Sequence, residues 1–300
     1  MASGAVIERS LVRPGRWAAY LALTKPRIIE LLLITTVPAM VLAAGGWPDT
    51  WLVIATLAGG ALSAGGANAL NCYIDRDIDE VMRRTSRRPL PSHAITPLQA
   101  LVFGIALGVA GFVWLGAFAN WLAAAVSTLA LLFYVFVYTR WLKRTSIQNI
   151  VIGGAAGAAP ALVGWAAVTG SLALPAWVLF ALVFYWTPPH FWALAIRYRD
   201  EYAAADVPML PVRRGVEATT RQMMLYAGMT VLISLLLVPV ASMGWLYLLA
   251  AIGLGGWFLG DALRVMRNPQ RAMVMFTNST YYLALIFLAA MVDVLARSIA

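Results

Sequence analysis

Residues 98–139 read LQALVFGIALGVAGFVWLGAFANWLAAAVSTLALLFYVFVYT, without a single Asp, Glu, Lys or Arg. At about 20 residues per crossing, the stretch is long enough to traverse a hydrocarbon core twice. It divides at Ala119-Asn120 into spans 98–118 and 121–139. Backbone groups in lipid find partners only inside a helix or a closed barrel. Barrel strands run about 10 residues and alternate in polarity. These runs are longer and do not alternate, so they are helices. Outward from this pair, similar runs at 28–46, 51–74, 147–168, 174–196, 222–241, 245–263 and 277–296 fill the rest of the chain. The fold class is all-α: a polytopic membrane helical bundle of about nine transmembrane helices.

Composition agrees with a lipid bilayer as solvent. Of 300 residues, 62% are hydrophobic and 12% charged, against about a quarter charged in a soluble domain. The Lys and Arg residues alternate between rich and empty loops, and 21 of 22 fall on one side, Arg297 being the exception. The positive-inside rule then places the N-terminus in the cytoplasm and the C-terminus outside. We expect a cytoplasmic N-terminal tail over 1–27 with no removable signal peptide, and one transmembrane domain over 28–300, in the inner membrane of the cell. The net charge of +9 sits in short loops between apolar spans, not on a basic stripe, which excludes nucleic acid as a partner. A single cysteine, Cys72, and two histidines exclude an intramolecular disulfide and metal centres built from several cysteines or histidines.

Chemistry gathers where the second span ends. Residues 59–91 read GGALSAGGANALNCYIDRDIDEVMRRTSRRPLP. Gly59, Gly60, Gly65 and Gly66 suit close helix packing. Asn71, Asp75 and Asp79 stand at i, i+4 and i+8, with Asn68 a turn earlier, so they share one helix face. Neighbouring carboxylates repel unless a cation lies beside them, and hard oxygen ligands suit Mg²⁺ held against substrate phosphates. With Asp77 and Glu80 adjacent, a solvated helix end is the other reading. The arginines that follow, 83, 84, 87 and 88, either bind phosphate or set topology. Arg140, Lys143 and Arg144 repeat the device in the next basic loop. A second acidic loop, IRYRDEYAAADVPMLPVRRG at 196–215, offers Asp200, Glu201 and Asp206 without the regular spacing. His190, within YWTPPHFWALAI at 185–196, reads either as a packing residue or as a haem-iron ligand or proton-transfer group. His93, in a loop, reads as surface.

The Asn-x-x-x-Asp-x-x-x-Asp pattern at 71–79 in a basic polytopic chain resembles the UbiA-type intramembrane prenyltransferases. The strings TKPRI (24–28), NCYIDRDID (71–79), MRRTSRRPLP (82–91), LKRTSIQNIVIGGAAGAAP (142–160), WTPPHFWALAI (186–196) and PMLPV (208–212) resemble the haem-modifying branch, the haem O synthases. That resemblance implies Mg-dependent transfer of the farnesyl group of farnesyl diphosphate to a vinyl group of haem B, water capturing the resulting cation. Haem B is then a substrate, and a haem A synthase a downstream partner. Carried over residue by residue, Asp75, Asp79 and Asn71 would hold Mg²⁺. Asn68 would orient metal or phosphate, and Arg84, Arg88, Lys143 and Arg144 would bind diphosphate. His190 would serve haem. Tyr73, Tyr134, Tyr138, Trp186 and Tyr198 would steady the cation, with Tyr138, Tyr198 and Asp200 counted among the substrate contacts. The second acidic motif of the superfamily is reduced here: Ala195 and Tyr198 stand where acids are expected, leaving Asp200, and Asp206 stands where glycine is commoner. A quinone-precursor acceptor on the same fold and a cation-coupled transporter using Asp75 and Asp79 are the competing functions.

Overall fold

The computed structural model describes residues 15–299, and the side chains among them except at 28, 30–33 and 299. The expected tail 1–27 is therefore described only from residue 15. It is not all tail: α1 (Arg16–Thr24) is helical, and Ala19 and Leu23 pack without exposure against Ala69, Cys72, Leu90 and Ile95. Residues 1–14 lie outside the described residues.

The long helices are α2 (Pro26–Ala44), α3 (Thr50–Ile74), α5 (Pro97–Phe118), α6 (Trp121–Leu132), α8 (Asn149–Thr169), α9 (Leu174–Arg197), α12 (Gly215–Val240), α13 (Trp245–Arg267) and α14 (Ala272–Ile299). Short helices α4 (Arg76–Val81), α7 (Lys143–Thr145), α10 (Arg199–Ala204) and α11 (Leu210–Arg213) occupy the connections. No strand occurs among the described residues. Among the described residues, eight helices are long and apolar enough to cross a membrane. The expected first span corresponds to α2, whose described apolar stretch, Ile34–Ala44, is shorter. Several helices outrun their apolar cores: α12 begins at Gly215 rather than 222, and α14 at Ala272 rather than 277.

Polar residues at the breaks start the helices. Asp49 accepts from Leu52 N at 2.8 Å. Thr96 and Gln99 form a capping box on either side of Pro97, satisfying amides that have no intrahelical partner. Asn120 caps α6 and donates to the Ala166 carbonyl at 2.7 Å, so the break between the two opening spans also ties α6 to α8. On α5, Leu98, Val102, Ile105, Val109 and Phe112 form an exposed apolar stripe, a lipid-facing surface that water would not tolerate.

Helices approach most closely through glycine. A Cβ on Gly66 would lie 2.7 Å from the Gly104 carbonyl oxygen, and one on Gly59 2.6 Å from Leu115. The packing reading holds for these two. Gly60 differs, because a Cβ there meets nothing within 4 Å. Between α6 and α7 the helix widens to a π-helical segment, Phe133–Leu142, a geometry that often marks functional sites.

Candidate active site

The acidic end of α3 is the meeting point of four chain segments. Asp75 sits at the junction with α4. The bonds Asp75 N to Asn71 O (2.9 Å) and Asp79 N to Asp75 O (2.8 Å) carry the helical register through the break. Asn71, Asp75 and Asp79 therefore share one face, as their spacing predicts. Asp75 has no exposed surface and Asp79 has 2%, which overturns the solvated-end reading for this pair. Asp77 and Glu80, on the other face, do meet solvent.

Buried carboxylates need compensating charge. Asp75 Oδ2 accepts from Lys143 Nζ at 2.5 Å and Asn71 Nδ2 at 2.8 Å. Arg144 Nη2 stands 3.6 Å from Asp75 Oδ1 and forks onto Asp77 at 2.7 Å to each oxygen. That hydrogen-bonded guanidinium holds the Asp77 carboxyl low, at about 2. Arg88 Nη1 reaches both oxygens of Asp79 at 2.8 Å. The π segment delivers Thr139 to Asn71 Nδ2 (3.1 Å) and, one turn on, leads to Lys143 in α7. From the α1–α2 corner, Lys25 Nζ donates to Asn71 Oδ1 at 2.7 Å, and burial pulls this amine below its ordinary value.

An apolar chamber of about 140 Å³ is walled by residues such as Gly60, Ala64, Asn68, Tyr134, Gly157 and Pro160. Asn68 lies one turn from Asn71, and Tyr134 stacks on Tyr138 with ring centroids 5.3 Å apart. A ligand with a charged head and a hydrocarbon tail matches this layout.

Residues 32–290 match the UbiA prenyltransferase family. The chain belongs to the UbiA prenyltransferase family. It is 58% identical over 92% of both chains to a protoheme IX farnesyltransferase of Clavibacter michiganensis subsp. michiganensis (strain NCPPB 382). A protein of that name from Gloeobacter violaceus is 54% identical over 91% of both chains. In fold, the chain resembles a solved digeranylgeranylglyceryl phosphate synthase (TM-score 0.77, 19% identity, 94% of this chain and 99% of that one). It also resembles a UbiA homolog from Archaeoglobus fulgidus bound to DMAPP and Mg²⁺ (TM-score 0.65, 15% identity, 91% and 99%).

Does the UbiA-family cluster in this chain fit a divalent ion? Asp75 Oδ1 is buried and has no hydrogen-bond partner among the described residues. It is a hard oxygen of the kind Mg²⁺ takes, and Mg²⁺ commonly uses one or two carboxylates and completes its shell with water and phosphate. Among the described residues no three His, Cys, Asp or Glu side chains group to hold a metal alone, so substrate oxygens would be needed. Asp75 and Asp79 fit such a role. Asn71 is hydrogen-bonded at both ends of its amide, and Oδ1 keeps a second lone pair for a cation. Its Oδ1 accepts from Lys25 and its Nδ2 donates to Asp75 and Thr139, so it orients Asp75. Asn68 likewise donates to the Thr24 carbonyl at 2.9 Å, fixing the corner that carries Lys25.

The second acidic loop contributes differently from its spacing. Arg84 lies over the Tyr198 ring at 5.3 Å and donates to the Tyr202 hydroxyl at 3.2 Å, while its backbone N–H donates to Glu201 at 3.1 Å. Asp200 stands apart, its side chain 92% exposed and paired only with adjacent Arg199. Asp206 adopts φ +50°, a left-handed conformation that glycine takes freely and Asp tolerates, which explains why glycine suits the position.

His190 lies between the Trp186 and Phe276 rings, at 4.3 and 4.4 Å, and its Nδ1 is 2.7 Å from Ser279 Oγ. Ser279 Oγ also lies 2.7 Å from the Phe276 carbonyl; with the serine proton on that carbonyl, Nδ1–H is the donor to the serine and Nε2 keeps its lone pair.

Lys25 and Thr139 are candidate site residues that spacing missed, and Glu201, offered by the second acidic loop, holds the Arg84 backbone. Lys25 lies within TKPRI, but a lone basic residue in a basic segment carries no periodic signal.

Proposed function

We propose that the chain transfers the farnesyl group of farnesyl diphosphate to a vinyl group of protohaem IX (haem B), water entering to give haem O and diphosphate. The observation that carries this reading is Asp75, fully buried with Oδ1 lacking a hydrogen bond, two helical turns beyond Asn68 in the wall of an apolar chamber. The curated relatives, named protoheme IX farnesyltransferases, support haem as the acceptor.

Asp75 and Asp79 would hold Mg²⁺, which stabilises charge on the departing diphosphate. Lys143, Arg144, Arg84 and Arg88, which hold Asp75, Asp77, Tyr202 and Asp79 in this structure, would share their donors with phosphate oxygens and fix the head group. The Tyr134–Tyr138 stack presents π faces to the allylic carbon as positive charge develops. His190 offers Nε2 to the haem iron, its ring held flat by Trp186 and Phe276. The charge of the basic loops supports a position for this cluster on the cytoplasmic side of the inner membrane, where diphosphate would leave into water. A haem A synthase is the partner that would consume the product.

Purified protein given haem B, farnesyl diphosphate and Mg²⁺ should yield haem carrying a farnesyl group and one added water, read by mass. Prenylation of a phenolic acid in preference to haem would overturn the acceptor. His190→Ala should weaken haem binding or slow turnover, and an unchanged haem spectrum and rate would return His190 to packing.

A further inference from the structure

α8 begins with a polar group that the site described above does not use. Asn149 has no exposed surface, and neither Oδ1 nor Nδ2 has a hydrogen-bond partner among the described residues. A buried amide unpaired on both sides is rare, because it forfeits its hydration for nothing. Packing does not account for it, since leucine would fill the same space without that cost.

Its place on the helix says what it faces. Asn149, Gly153 and Gly157 stand at i, i+4 and i+8, on one face. A Cβ on Gly153 would lie 2.3 Å from the Tyr138 ring, so this face packs on the π segment next to Thr139, the partner of Asn71. A Cβ on Gly157 would meet nothing within 4 Å, and Gly157, Ala156 and Pro160 wall the apolar chamber. The face thus runs from hydrocarbon chamber, past Tyr138, to Asn149 at the charged end. No side chain of the N-cap residue caps the helix there; Ser146 accepts from the Gln148 and Asn149 amides, and the positive end of the helix dipole is left for an anion.

We infer that Asn149 is a further binding residue for the diphosphate head, Nδ2 donating to a phosphate oxygen and Oδ1 accepting from a water of its hydration shell. This rests on the prenyl diphosphate reading above. The probe is magnesium pyrophosphate, titrated onto the full chain in lipid nanodiscs, with farnesol as a tail-only control. Asn149→Leu should weaken pyrophosphate binding about tenfold, the scale of one hydrogen bond to a charged group, and leave farnesol affinity unchanged. Without ligand, its thermal midpoint should equal or exceed that of the wild type. A structural role would lower the midpoint or abolish folding in both Asn149→Leu and Asn149→Ala, and that result overturns the inference. So does wild-type pyrophosphate affinity in a folded variant. If the wild type itself binds no magnesium pyrophosphate, the prenyl diphosphate reading falls along with it.

Discussion

Lys143 and Asp75 form a pair that the protein must keep together. Deleting one partner of a buried ion pair strands the other, at about 3–5 kcal/mol. Lys143→Met should therefore lower the thermal midpoint sharply, and adding Asp75→Asn should recover part of the loss, as thermal unfolding of the single and double variants would show. Asp75→Asn alone should fold yet lose at least about a hundredfold in kcat, the scale of one group that stabilises developing charge. Near-normal turnover would sink the metal assignment. Asp77 gives a pH prediction. Its folded value, about 2, lies below the ordinary aspartate value of 3.8, so its pairing with Arg144 stabilises the fold above pH 4 and is lost as pH falls toward 2. Asp77→Asn should flatten the melting-temperature profile in that window, by a small amount because the carboxylate is 61% exposed and screened. At this scale the i, i+4, i+8 spacing made Asn71, Asp75 and Asp79 legible. Lys25 and Asn149 were not, because each gains its meaning from segments distant in sequence.

Among the helices, the glycine pairs separate packing from function. Gly66→Val drives a side chain into the Gly104 carbonyl and should push α3 from α5, seen as loss of folded protein in size-exclusion chromatography. Gly60→Ala faces open space and should fold normally. Sequence showed the helices themselves, because about 20 apolar residues in lipid leave no other structure. It did not show where they extend past the apolar run, since caps and polar first turns lie outside the hydropathy signal. Nor did it show the π segment at 133–142, which has no compositional mark. There the widened turn is set by what it packs against, Gly153 on one side and Asn71 on the other.

For the molecule as a whole, the charge asymmetry gives a direct test of orientation. Cys72 is buried, 2% exposed, so it should stay silent to a membrane-impermeant maleimide. Ser171→Cys should label in intact cells and Ser92→Cys only after the membrane is opened, both positions being exposed. The reverse pattern would invert the topology. The fold sets a charged head site near a hydrocarbon chamber, so diphosphate release at Asp75 should be coupled to haem alkylation. The most direct measurement incubates the purified protein with haem B, farnesyl diphosphate and Mg²⁺ in ¹⁸O-labelled water, counting diphosphate released against haem converted. The account predicts one diphosphate and one ¹⁸O per farnesylated haem, and neither from Asp75→Ala. Diphosphate released without haem conversion, or equal conversion by Asp75→Ala, would contradict it.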